Sequence, residues 1–229
     1  PTERHMGQLD DLLQRNINWA ANVTKSDPEL FSRLSAGQSP RYFWIGCSDS
    51  RVPATQITDL DPGEIFVHRN VANVVVHSDL NLLSALQFAV DVLKVRHVIV
   101  CGHFNCGGVA AAFSGARYGL VDNWLNHVRD VAVANEHRLA QFEDDAMRLR
   151  LLEKLNVIAQ VFDVARTTIV ADAWDRGQAL SIHGWIYGVN DGLLRDLELD
   201  VSSSEGLNEV HQAASDRAIE FVREAFARA

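Results

Sequence analysis

Two short apolar runs, Tyr42 to Gly46 and His97 to Cys101, each stop where soft metal ligands begin. Cys47-Ser48-Asp49-Ser50-Arg51 follows the first, and His103-Phe104-Asn105-Cys106 follows the second. Runs of this length and composition read as buried strands. Thiolates and an imidazole suit zinc, but these groups lie far apart in sequence. One ion can gather them only if the two strands are close and parallel, with their carboxyl ends converging. That demand narrows the fold to a mostly parallel α/β sheet, with the site beyond the strand ends at a switch in strand order.

The remaining pattern fits such a sheet. Leu9, Leu12, Leu13, Ile17 and Ala20 recur at helical spacing and predict a helix over 8–24. Asp27 as N-cap and Pro28 at the first helical position start a second, short helix that ends near Ala36-Gly37. The turn Asp61-Pro62-Gly63 leads into a strand from Glu64 to Arg69. Ser78-Asp79 caps a helix whose apolar face carries Leu82, Leu83, Leu86, Ala89, Val90 and Leu93. Residues 109–113 form a small helix, and 120–160 read as helical with a break over 141–145. Thr167 to Arg176 is helical, with Gly177 as the C′ residue. Ala179 to Tyr187 is a fourth strand, and the turn Asn190-Asp191-Gly192 leads into an antiparallel edge strand, Leu193 to Val201. No repeat or separating linker interrupts the chain. The expected organisation is one domain over 1–229, with an N-terminal helical arm over 7–36 and an amphipathic helical tail over 205–229.

Apolar residues make up 47% of the chain, enough for a sizeable core. A net charge of −9 argues against a nucleic-acid backbone as partner. No polybasic segment and no apolar run of spanning length suits a membrane. Three cysteines cannot all pair with one another, and two sit at ligand spacing, which favours a metal site in a reducing compartment. The start, through Met6, lacks the form of a secretory signal. The expected setting is cytoplasmic, with Met6 as the natural start; a targeting segment removed earlier would leave the same chain.

Cys47, His103 and Cys106 make a Cys2His set. Three protein ligands leave one tetrahedral corner open, the mark of a catalytic zinc rather than a structural one. Taken singly, Cys47 is a small buried hydrophobe and His103 a satisfied loop histidine. The glycine-flanked loop shared by His103 and Cys106 favours the joint metal reading. Cys101 is a rival ligand, but it lies inside the strand and suits core packing. Asp49 has three possible roles. It can bind the metal and close the site, pair with Arg51 and leave the site open, or cap the helix that follows Pro53.

These blocks resemble the β-class carbonic anhydrases. The likeness runs through C-S-D-S-R and H-x-x-C and continues in Pro62-Gly63-Glu64, His68 to Asn73, Cys101-Gly102-His103 and His183 to Tyr187, over roughly Leu9 to Val201. The resemblance implies strand order 2-1-3-4 with an antiparallel fifth strand at the edge. It implies one zinc per chain on Cys47, His103 and Cys106, and reversible hydration of CO2 to bicarbonate and a proton by zinc-bound hydroxide. Asp49 and Arg51 are then the catalytic pair. Phe66 and Val71 line the CO2 pocket, the Gly107 N–H assists, and Gln38 donates from a partner subunit. Read without the family, Phe66 and Val71 are core residues and Gln38 is a turn residue. Phe88 stands where many members carry a tyrosine.

Trp44, Arg69 and Tyr187 match a trio that binds bicarbonate in one branch of the family, the type II enzymes. This implies allosteric inhibition, with the anion favouring a state in which Asp49 sits on zinc and leaves Arg51. The plainer reading makes Trp44 and Tyr187 packing residues and Arg69 a hydrogen-bonding one. The family habit also implies a homodimer or a dimer of dimers, with the N-terminal arm reaching a neighbour. Three other functions stay in view: hydrolysis of carbonyl sulfide or carbon disulfide, a non-catalytic zinc module, and a bicarbonate sensor.

Overall fold

The structure is a computed structural model that describes residues 2–227, with side chains from residue 9. The last two residues of the expected tail lie outside the described ones. Contacts within the chain divide it into two units, one ending at Gln38 and one beginning at Ser39.

The first unit holds α1 (Thr2–Ser26) and α2 (Leu30–Ser35). The edge of Trp19 meets Phe31 at 5.8 Å between ring centroids. The helical spacing is right, yet Leu9, Leu12, Leu13 and Ile17 are each about 60% exposed. Asp27 does not cap α2 as expected. Its carboxylate accepts from the Glu29 N–H at 3.2 Å and pairs with Arg33. Pro28 and Glu29 are therefore drawn into a turn, and the helix starts at Leu30.

The second unit is a five-stranded sheet in the order β2-β1-β3-β4-β5. Its strands are β1 (Tyr42–Cys47), β2 (Ile65–Asn70), β3 (His97–His103), β4 (Ser181–Tyr187) and β5 (Leu194–Val201). The first four pair in parallel, and β5 runs antiparallel to β4. Its helices are α3 (Ala54–Thr58), α4 (Leu80–Gln87), α5 (Gly107–Ser114), α6 (Val121–Ala134), α7 (Glu136–Leu139), α8 (Asp145–Ala165), α9 (Thr168–Asp175) and α10 (Leu207–Ala227). The break expected within 120–160 falls where Asp144 caps α8, accepting from the Met147 N–H at 2.9 Å.

Strand alternation sends side chains to two unequal layers. Phe43, Ile45, Cys47, Val98, Val100, Ile182 and Ile186 enter the main core with α4, α5, α6 and α8. Trp44, Ile99, Cys101 and Tyr187 enter a smaller cluster with Val52, Ala54 and Ile65. Along α8, Leu151, Leu152, Leu155, Ile158, Val161 and Phe162 are buried, each stabilising the fold by roughly 1.5–3 kcal/mol. α8 lies close against β3 because position 102 has no side chain. A Cβ on Gly102 would come 2.5 Å from Val157 Cγ2. No helix among the described residues is long and apolar enough to cross a membrane.

Candidate metal centre

β1 ends at Cys47 and its parallel neighbour β3, the central strand, ends at His103, so both ligands stand at the carboxyl end of the sheet. The chain leaves β3 through Asn105, whose φ of 58° is left-handed, and this turn brings Cys106 back to the start of α5. The three ligand atoms of Cys47, His103 and Cys106 lie within 4.8 Å of one another, and all three residues are buried. The two sulfurs are 3.9 Å apart.

Neighbouring groups hold these ligands. The His103 Nδ1–H donates to the Phe104 carbonyl at 3.1 Å, which leaves Nε2 with the free lone pair. The Ala72 N–H points at Cys47 Sγ at 3.4 Å. Ala72 has a left-handed φ of 64°, and Asn156 Nδ2 donates to its carbonyl at 3.0 Å. The Cys106 N–H donates to Glu153 Oε1 at 3.1 Å, from an acid buried within α8. Burial raises the Glu153 carboxyl, opposed by that N–H and by Arg150.

The electrostatics call for a cation. His103 Nε2 is buried and has no hydrogen-bond partner among the described residues. A hydrogen bond shared with Cys106 pulls the Cys47 thiol down to about 4, against burial. The same bond, with burial and the charge on Cys47, pushes Cys106 well above the ordinary thiol range. The sulfurs thus give up one proton readily and hold the other. An ion between them would allow both to be thiolates. Burial opposes charge on His103, yet the Cys47 sulfur, the Phe104 carbonyl and the Asp49 carboxylate together raise its pKa. An orphaned imidazole nitrogen facing two thiols is the donor set that fits a tetrahedral soft ion.

Asp49 stands beside this set, paired with Arg51. Arg51 Nε donates to Asp49 Oδ1 at 2.9 Å and its Nη2 to Oδ2 at 2.7 Å, and the Arg51 N–H adds a bond to Oδ1 at 2.9 Å. Arg51 Nη2 also reaches the Asn105 carbonyl at 3.3 Å, tying the first loop to the second. Asp49 Oδ2 lies 3.7 Å from His103 Nε2. The Arg51 guanidinium holds the Asp49 carboxyl well below the usual carboxylate range. The residue preceding α3 is Pro53, and no side chain caps that helix. Cys101 is not part of the ligand group. It packs in the smaller cluster, its thiol donates to the Gly102 carbonyl, and burial pushes that thiol up.

Of the remaining expected site residues, Gly107 directly follows Cys106, and Val71 directly precedes Ala72 and lies against Gly108. Phe66 lies between the rings of Phe43 and Phe88, at 5.7 and 5.9 Å. Val71 is 37% exposed, and its carbonyl accepts from Trp124 Nε1 at 2.8 Å. Gly107 opens α5. Gln38 is exposed at the end of the first unit. Trp44 and Tyr187 share the smaller cluster, and the buried Trp44 indole N–H has no partner among the described residues. The indole folds over position 46, where a Cβ would come 2.2 Å from its Nε1. Arg69 donates to the carbonyls of Cys47, at 2.8 Å, and Asp49.

Sequence reading missed Glu153 and Ala72. Glu153 had a signal: Glu153-Lys154 stands between the apolar residues Leu151-Leu152 and Leu155. Ala72 had none, because nothing in an alanine announces a left-handed backbone.

Fold and site together define a class: a parallel α/β protein whose first and third strands end at a two-cysteine, one-histidine cluster. Residues 42–194 match the family model described as carbonic anhydrase. The chain belongs to the β-carbonic anhydrase family. It is 47% identical over 198 residues to a carbonic anhydrase of Emericella nidulans, spanning 86% of this chain and 87% of that protein. A Coccomyxa β-carbonic anhydrase solved with acetazolamide superposes with a TM-score of 0.84 at 38% identity, over 94% of this chain and 97% of that one. One of two tetrameric β-carbonic anhydrases solved from Sordaria macrospora gives 0.80 at 35% identity, over 86% and 100%.

Proposed function

We propose that this protein is a zinc-dependent carbonic anhydrase that hydrates CO2 reversibly to bicarbonate and a proton. The observation that carries the reading is the buried, unpartnered His103 Nε2 facing two thiols, beside a two-pronged Asp49–Arg51 pair. Zinc held by Cys47, His103 and Cys106 supplies the Lewis acidity that makes water nucleophilic near neutral pH. Asp49, kept ionised by Arg51, would accept a hydrogen bond from the nucleophilic hydroxide and so fix which lone pair faces the substrate. Phe66 and Val71 offer apolar walls to CO2, the Gly107 N–H a donor, and Gln38 of a second copy another.

Stopped-flow CO2 hydration by the zinc-loaded protein tests this. Asp49→Asn and Arg51→Gln should each lower kcat by roughly 10²–10³-fold with zinc retained, the range of a lost preorganised hydrogen-bonding group. Full-speed hydration by either variant would contradict the assignment. Turnover of carbonyl sulfide alone would move the substrate to the sulfur compounds.

A second reading concerns regulation, and the orphaned Trp44 N–H favours it. Bicarbonate accepted by Trp44, Arg69 and Tyr187 would compete for the Arg69 donors now on the Cys47 and Asp49 carbonyls. Losing them frees Asp49 to leave Arg51 and turn to the metal, as in the type II branch. Trp44→Phe, which removes one N–H, should abolish bicarbonate inhibition; unchanged inhibition would sink the idea.

The bare apolar stripe on α1 needs cover, and one of the solved relatives is tetrameric. We therefore propose a homodimer or dimer of dimers in which arm and sheet act as one functional domain. All three cysteines carry free thiols, which suits the cytoplasm.

A further inference from the structure

Behind the metal-bearing loop lies a cavity of about 750 Å³, walled by β3's exit, α8, the β4–β5 turn and α10. One wall is Phe104, the residue after His103. Three cations surround its ring: Arg150 Cζ at 3.8 Å from the centroid, Lys154 Nζ at 5.2 Å and Arg195 Cζ at 6.0 Å. Phe221 and Phe226 supply apolar walls from α10.

Asp191, Asp196 and Glu224 line the same cavity, but the charges are not equally matched. Arg195 is engaged by both oxygens of Asp191. Arg150 lies 3.8 Å from Glu153 Oε2, an acid already bonded to the Cys106 N–H. Lys154 has neither. It is 5% exposed, lines the cavity, and rests only on the rings of Phe104 and Phe221, the latter at 5.0 Å. Among the described residues, no carboxylate lies within ion-pair distance of its ammonium. Burial, with Arg150 and Arg195, pushes its pKa down to about 8, only partly opposed by the more distant Glu153. A buried ammonium without a counter-ion is costly, and proteins retain one chiefly where something neutralises it.

The geometry points to a second ligand site here, for a small organic anion: a carboxylate or phosphate monoester whose head meets Lys154 and Arg150 and whose apolar body covers Phe221 and Phe226. The volume suits a small ligand. The aromatic walls explain why an organic anion fits better than a bare ion. The site is separated from the metal by the Phe104 backbone, which is fixed by its N–H to the Tyr187 carbonyl at 2.9 Å.

Calorimetric titration of phenyl phosphate, benzoate and inorganic phosphate into the zinc-loaded protein tests this. Phenyl phosphate or benzoate should bind saturably, one per chain beyond any metal-bound anion, and the tighter of the two identifies the head group. Lys154→Met and Arg150→Gln should each weaken that binding by about tenfold or more. Lys154→Met keeps the side chain's volume without its charge, and Arg150→Gln gives an independent check at a more exposed position. Unchanged affinity in both variants would overturn the proposal, by assigning the anion to the metal or the surface. Absence of saturable binding to the unaltered protein would also overturn it. Inorganic phosphate binding as tightly as phenyl phosphate would overturn the organic ligand class.

Discussion

On the face of the sheet that packs against α5, α6 and α8, buried side chains from β1, β3, β4, β5 and the helices α4 to α10 close into one core, with Phe66 of β2 packed against it. On the opposite face, Trp44, Ile99, Cys101 and Tyr187 meet a handful of residues around α3, and a cavity of about 340 Å³ remains beside Tyr42, Ile99 and Trp185. Two cysteines show what this asymmetry does. Gly46, the neighbour of Cys47, is paired in register with Cys101, so the two thiols lie one strand step apart and on opposite faces. Cys47, at the end of its strand on the thick face, joins the ligand cluster. Cys101, inside its strand on the thin face, is a packing residue. Strand parity and distance from the strand end decide which sulfur is available for chemistry.

The largest expected effect tests this contrast. Cys47→Ala should lose bound zinc, by elemental analysis, and more than about a hundredfold in CO2 hydration, beyond the loss typical of an outer-shell change. Cys101→Ala should keep both and cost only about 1–2 kcal/mol in denaturant stability. Metal lost from the Cys101 variant would break the comparison.

A smaller effect tests packing. Leu155→Ala, in the thick core, should cost about 3–5 kcal/mol. Ile99→Ala, beside the existing cavity, should cost nearer 2 kcal/mol, the low end of the same range. Equal losses would mean that the two faces are equally well packed.

Much of this could be read in the residues. The uninterrupted apolar run of β1 required burial on both faces, and the paired ligands at two strand ends required parallel neighbours. The sheet order and antiparallel β5 follow the family resemblance. What the sequence hid were backbone and long-range effects. The helix spacing of Leu9, Leu12, Leu13 and Ile17 said nothing of what would cover them. Asp27 looked like a cap, but a nearby arginine and a turn claimed its carboxylate. Glu153 could be noticed as an acid among leucines, but its bond to the Cys106 N–H depends on a contact between distant segments.

The smallest of the expected effects concerns Lys154, a charge buried on the thick face. Its folded pKa of about 8 lies below the ordinary 10.5, so between those values the folded chain binds fewer protons than the unfolded one. Stability should rise with pH through that window, by up to about 1.4 kcal/mol per unit, and should level off at its lower value below pH 8. Lys154→Met should be the more stable protein at pH 7, by about 1–3 kcal/mol, with the gap closing toward pH 10.5. Denaturation curves with a gap independent of pH would place no cost on that charge.

Zinc-edge X-ray absorption on the metal-loaded protein at neutral pH tests the central claim most directly. The account predicts two sulfur neighbours at about 2.3 Å and one imidazole nitrogen at about 2.0 Å, with a light atom completing the tetrahedron. It also predicts the loss of one sulfur in Cys106→Ser. A shell with three sulfurs or none, or one unchanged by that substitution, would contradict it.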